Sequence, residues 1–193
     1  MSGFGAATAV AFGTIFVAEL GDKSQLMALA FAARFRALPI LVGITIATAV
    51  VHAVSVGIGA VLQVSLPTDV IAIAAGILFL GFAAWTLRGD ELGAGDEARV
   101  ERAGGGSAVV AASVAFFLAE LGDKTMLATI TLATTYGPVA VWLGSTLGMV
   151  AADALAIGLG RVLGARLPER AIRIGAAVLF VLFGVALILE GVL

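Results

Sequence analysis

The 193-residue chain has no cysteine, one histidine, one tyrosine, four prolines and only 12% charged residues. Without cysteine there is no disulfide, no thiolate metal ligand and no cysteine nucleophile, and nothing is said about redox compartment. A net charge of −2 leaves no electrostatic footprint for a nucleic acid. Phosphate-binding glycine loops, nucleophile triads and cofactor fingerprints are missing too, so the chain does not read as an enzyme and no resident cofactor is expected. No Lys or Arg precedes Lys23. The first apolar run therefore lacks the basic region of a signal peptide and reads as a retained helix.

What is abundant is apolar surface. The chain is 61% hydrophobic with a mean hydropathy of +1.14, where an ordinary soluble domain is about half apolar and about a quarter charged. A water-soluble fold of this size has no place to hide that surface, so a bilayer is the expected solvent. Runs long enough to span it occur at 4–33, 38–63, 69–88, 106–134, 137–163 and 169–191, and the first and fourth, longer than needed, are expected to tilt or to break near their Leu-Gly pair. Prolines 39, 67, 138 and 168 sit at the joints, where a helix cannot continue without losing a hydrogen bond. The stretch 89–105, GDELGAGDEARVERAGG, is rich in charge and glycine and is expected to be an exposed linker with no fold of its own. The expected class is thus all-α integral membrane, with a first three-helix repeat at 1–88, a charged cytoplasmic linker at 89–105 and a second repeat at 106–193.

The two halves are related. Ala18–Lys23 reads AELGDK and so does Ala119–Lys124, at an offset of 101 residues (124 − 23). The same offset pairs Phe16 with Phe117, Leu26 with Leu127, Gly43 with Gly144, Thr45 with Thr146, Gly57 with Gly158 and Pro67 with Pro168. A register held across three helices indicates duplication. Three is odd, so the second half is expected to be inverted, giving six transmembrane helices as an inverted 3+3 repeat. All nine arginines (34, 36, 88, 99, 102, 161, 166, 170 and 173) fall in the first, third and fifth connections or at their helix ends. Cytoplasmic loops collect positive charge, so both termini are expected to face away from the cytoplasm, in the cell inner (plasma) membrane.

Each repeat carries two carboxylates and a lysine in apolar surroundings: Glu19, Asp22 and Lys23, then Glu120, Asp123 and Lys124. On an ideal helix each trio shares a stripe with Leu26 or Leu127. A charge at the bilayer centre costs about 2.5–3.5 kcal/mol on insertion scales, so these groups are expected to face inward. If each lysine merely locks helices together, two negatives per motif against one positive still leave −2. One divalent cation or two protons would neutralise that. The available donors are hard oxygens: the four carboxylates, the hydroxyls of Ser24 and Thr125, and the Gln25 amide. Such donors suit Ca²⁺, Mn²⁺ or Mg²⁺. Lys23 and Lys124 would hold the carboxylates and set their charge.

Outside the motifs, Asp153 is the one other acid inside an apolar run, and His52 lies opposite it at the same offset. Both are candidates for proton coupling or an auxiliary metal contact, against ordinary packing hydrogen bonds. Asp69 and Glu190 lie at helix ends and read as solvated. Gly144-x-x-x-Gly148 and Gly160-x-x-x-Gly164 read as packing faces within the chain, with a homodimer face as the alternative.

The doubled E-x-G-D-K-[ST] motif, here ELGDKS and ELGDKT, resembles the Gdt1 family of divalent cation/proton exchangers, formerly uncharacterised protein family 0016. The resemblance covers both motifs, both halves and the linker. It implies a secondary transporter that exports Mn²⁺, with Ca²⁺ next, in exchange for protons. It places the cation site on Glu19, Asp22, Glu120 and Asp123. The metal is then transported substrate, and the partners are that cation, protons and the lipid bilayer. The competing expectations are a passive divalent cation channel and a non-transporting membrane scaffold or assembly factor.

Overall fold

The computed structural model describes residues 2–88, 98, 100, 107–163 and 169–192. Among them the chain is helical: α1 (Ser2–Glu19), α2 (Lys23–Arg34), α3 (Ala37–Ser65), α4 (Thr68–Arg88), α5 (Ala108–Glu120), α6 (Lys124–Thr135), α7 (Pro138–Leu163) and α8 (Glu169–Val192). Helices α3, α4, α7 and α8 are long and apolar enough to cross a membrane. Helices α1 and α2 meet the same criterion only as a pair, bent by 74° at the break between them, and α5 is a shorter apolar helix. With four to five candidate spans, the chain is a multi-pass membrane protein.

Of the two expectations for the over-long runs 4–33 and 106–134, a tilt or a break near the Leu-Gly pair, the structure shows the break: each run is two helices. The cause is glycine. Gly21 has φ +77° and Gly122 has φ +79°, a left-handed conformation that costs other residues about 1–2 kcal/mol. Glu19 and Glu120 therefore end one helix, while Lys23 and Lys124 open the next. They do not share a stripe of one continuous helix.

Packing follows the repeat. One core joins Ala11, Ile15 and Ala18 of α1 to Leu132 of α6 and Val141 of α7. The other joins Ala112, Phe116 and Ala119 of α5 to Phe31 of α2 and Ile40 of α3, each the counterpart at offset 101. A Cβ on Gly43 would stand 2.7 Å from Ala112 Cβ and from the Val109 carbonyl oxygen. One on Gly144 would meet the counterparts of those atoms, Ala11 Cβ and the Thr8 carbonyl oxygen. Gly148 likewise packs on Phe12 of α1, so this small-residue face lies within the chain. Where the halves meet, residues touch their own counterparts. Thr48 donates to Met149 Sδ at 3.3 Å, and the Phe79 and Phe180 rings are 5.8 Å apart.

The apolar outer face is explicit on α3, where Val42, Ile46, Val50, Val54, Ile58 and Val61 are exposed at helical spacing while Thr48, His52 and Ser55 are buried. Polar groups point inward and hydrocarbon outward, as a bilayer demands. Most of 89–105 lies outside the described residues, as do Arg166 and Gly164. Ala98 and Val100 are described, and there the expected structureless linker is corrected. Both are helical, Val100 is buried in the α2–α3–α5 core, and Arg34 donates to its carbonyl oxygen at 3.0 Å.

Candidate cation site

Both helix breaks bring the motif residues into the interior. Glu19 and Asp22 are 0% exposed, Glu120 1%, Asp123 3% and Lys124 2%. Each break exposes unpaired helix ends. Asp22 and Asp123 are the cap residues of α2 and α6, a position where a carboxylate usually accepts from the helix's first N–H groups. Neither makes that bond. Their side chains turn to the opposite repeat instead. Lys124 pairs with Asp22, and Lys23 Nζ lies 3.3 Å from Asp123 Oδ1. The exchange is reciprocal, as at a two-fold interface.

These pairs cancel the two aspartates against the two lysines, so the residual charge inferred from the sequence resides on the glutamates. Glu19 has neither carboxylate oxygen hydrogen-bonded, and Glu120 Oε1 is also without a partner. Glu120 Oε2 accepts from Thr125 Oγ1 at 2.7 Å. Glu19 lies within electrostatic reach of Glu120, Asp22, Asp153 and Lys124. Asp153, on α7, is 0% exposed with both oxygens unpartnered, and interacts electrostatically with Asp22. Buried carboxylates without hydrogen bonds are costly unless something neutralises them. Both glutamates also close a helix at its carbonyl end, where the helix dipole favours a cation.

The other predicted residues divide. Ser24 donates to Asp22 Oδ2 at 3.3 Å. The Gln25 amide is committed to the backbone: its Oε1 accepts from Gly21 N at 2.9 Å and its Nε2 donates to the Ala152 carbonyl oxygen at 3.1 Å. Position 126 does the same job in the second repeat, Met126 Sδ accepting from Gly122 N at 3.2 Å. The signal available in the sequence for both residues is their i+4 spacing from the glycine of the motif. His52 is buried with both ring nitrogens unpartnered. No three His, Asp or Glu side chains among the described residues converge closely enough to hold a metal ion together. The arrangement as it stands is a pair of crossed ion pairs flanked by two glutamates.

Comparison with known proteins agrees with the motif. The family described as "Divalent cation/proton antiporter GDT1" matches residues 7–94 and 108–193, that is, both repeats. A Vibrio cholerae protein named "Putative manganese exporter" is 36% identical over 181 residues, covering 92% of this chain and 88% of the relative. The Synechocystis "GDT1-like protein sll0615" is 31% identical over 188 residues, 89% of this chain and 91% of its own length. "Protein PAM71, chloroplastic" of Arabidopsis thaliana is 32% identical over 94% of this chain, which spans 56% of that longer protein. No solved structure matches. With both repeats matched, the chain belongs to the GDT1 family of divalent cation/proton antiporters, which are transporters and not enzymes.

Proposed function

We propose that this protein exports a divalent cation, Mn²⁺ in preference to Ca²⁺, in exchange for protons, through one site formed by the two motifs. One observation carries the reading: in a cluster whose aspartates are paired reciprocally by Lys23 and Lys124, Glu19 and Glu120 remain buried, with Glu19 Oε1 and Oε2 and Glu120 Oε1 lacking a hydrogen-bond partner among the described residues. A +2 ion or two protons neutralises the pair, and either loaded form is neutral enough to cross while the empty, charged form stalls. Obligatory exchange follows from that difference. Asp123 Oδ2, unpartnered, and the Ser24 and Thr125 hydroxyls are the further hard-oxygen donors, and cation loading must draw them and the glutamates together, since the carboxylates do not converge in the arrangement described. Asp153 is the additional proton carrier. Gln25 shapes the break and contributes no ligand.

The preference for Mn²⁺ draws on the name of the Vibrio cholerae relative. The inverted six-span arrangement draws on the reciprocal packing and on α5–α6 repeating the break of α1–α2. With the arginines on one side, both termini face away from the cytoplasm across the inner membrane.

The test is flux of radioactive Mn²⁺ and Ca²⁺ in proteoliposomes, with and without an imposed pH gradient. Gradient-driven flux, Mn²⁺ above Ca²⁺, is expected for the wild type, and background flux for Glu19→Gln and Glu120→Gln. Flux indifferent to the gradient would make the protein a channel. No flux of either ion from folded protein would leave the motifs a structural role.

A further inference from the structure

The packing of the two halves departs from the two-fold relation at helices α4 and α8. Helices α4 and α8 pack tightly on each other. Phe79 meets Phe183 at 6.1 Å while Phe180 meets Phe82 at 6.0 Å, a contact and its counterpart at offset 101. The α4–α8 pair is therefore symmetric within itself. Its seat is not. Phe79, Phe82 and Ala83 of α4, with Ala177 and Phe180 of α8, join the core of α1, α6 and α7. Ile71, Ala75 and Leu78 face Ile130, Thr131 and Thr134 of α6 across a cavity of about 100 Å³. The matching core of α2, α3 and α5 contains no α4 or α8 residue among those described.

Exposure records the same imbalance. Phe82 is 3% exposed and its counterpart Phe183 39%. The Lys124 side chain is 2% exposed and that of Lys23 26%. Thr131 and Thr134 on α6 are buried, whereas Ala30 on α2 is half-buried and Ala33 exposed. If the repeat is inverted, as proposed above, these two flanks open toward opposite sides of the membrane.

We propose that the α4–α8 pair is the gate of this transporter, that the structure shows one of its two seats, and that the second seat is the α2 flank. Counterpart positions define the second seat. Ala176 and Leu179 of α8 take the places of Ala75 and Leu78, against Ala30 and Ala33 in place of Thr131 and Thr134. The alanines on α2 permit that close approach without a polar group to desolvate. The exchange buries Phe183 and Lys23 and uncovers Phe82 and Lys124, so the cluster is reached alternately along α2 and along α6. Arg34 and Arg36 mark the end of α2 as cytoplasmic, so in the seat described here the cytoplasmic flank has neither α4 nor α8 on it among the described residues. This inference rests on the inverted-repeat reading and moves no charge out of the cluster.

The cysteine-free chain allows a direct test with a short bifunctional methanethiosulfonate cross-linker in proteoliposomes. Ala75→Cys with Thr131→Cys reports the seat described. Ala30→Cys with Ala176→Cys reports the second, and Ala30→Cys with Leu179→Cys replaces it if that variant does not fold. Both seats are expected to cross-link. Complete cross-linking of either is expected to reduce exchange to background, with recovery on reduction. Exchange that continues with the first pair fully cross-linked would overturn the proposal. So would protein that exchanges and cross-links at 75/131 but never at either second-seat pair. Cross-linking at both seats without flux of either ion would leave the moving gate intact and remove the exchange reading instead.

Discussion

At the scale of the residue, the crossed ion pairs separate charges that are already balanced from charges that await a partner. Lys124 is buried against Asp22, and removing one member of such a pair costs about 3–5 kcal/mol because the other charge stays in low dielectric. Asp22→Asn is therefore expected to destabilise the protein by about that amount. The double variant Asp22→Asn/Lys124→Met should recover most of the loss, because neither charge is then left behind. Unfolding of purified protein in detergent, followed by tryptophan fluorescence, checks this. A double variant no more stable than the single one would mean the pair does not hold these positions. The glutamates are predicted to behave oppositely: Glu120→Gln removes an uncompensated buried charge, so it should lose transport and keep or gain stability.

At the scale of the element, the break decides how the costly motif is presented to the interior. In a continuous helix, Glu19 and Asp22 would be neighbours on one face, with all their backbone groups satisfied. Breaking at Gly21 and Gly122 instead places glutamates on carbonyl ends and aspartates on amide ends, with opposite dipoles meeting in the interior. Only glycine takes the required φ cheaply, so Gly122→Ala is expected to cost about 1–2 kcal/mol although nothing lies within 4 Å of the added methyl. Gly137→Ala, equally uncrowded and without positive φ, is the control and should be near neutral. Melting temperatures of the two variants decide. Equal melting would show that the break tolerates other backbones.

At the scale of the whole molecule, the proposed site and gate both need halves that face opposite ways, and the arginine distribution predicts which way. Single cysteines replacing Ser2 and Glu190 should react with a membrane-impermeant thiol reagent added to intact cells, whereas Arg36→Cys should react only after permeabilisation. Labelling at Arg36→Cys in intact cells would reverse the orientation and with it the side to which the described state opens.

Much of this was legible in the residues themselves. The bilayer follows from composition, the two halves from a register held over three helices, and the charged cluster from the price of burying Glu, Asp and Lys in hydrocarbon. Family membership rests on the doubled motif. Those features are local or periodic, and a one-dimensional pattern carries them. The sequence did not reveal which carboxylates would be paired. That depends on Lys23 reaching Asp123 and Lys124 reaching Asp22, contacts between residues far apart in the chain. The excess length of the first and fourth runs left a tilt or a break near Leu-Gly open, and only the positive φ of Gly21 and Gly122 decided for the break. The use of Gln25 and Met126 to hold the two breaks, and the seating of α4–α8 on one flank only, were likewise decided in three dimensions. Repeated sequence encodes the symmetry; only tertiary packing selects which side of it is occupied.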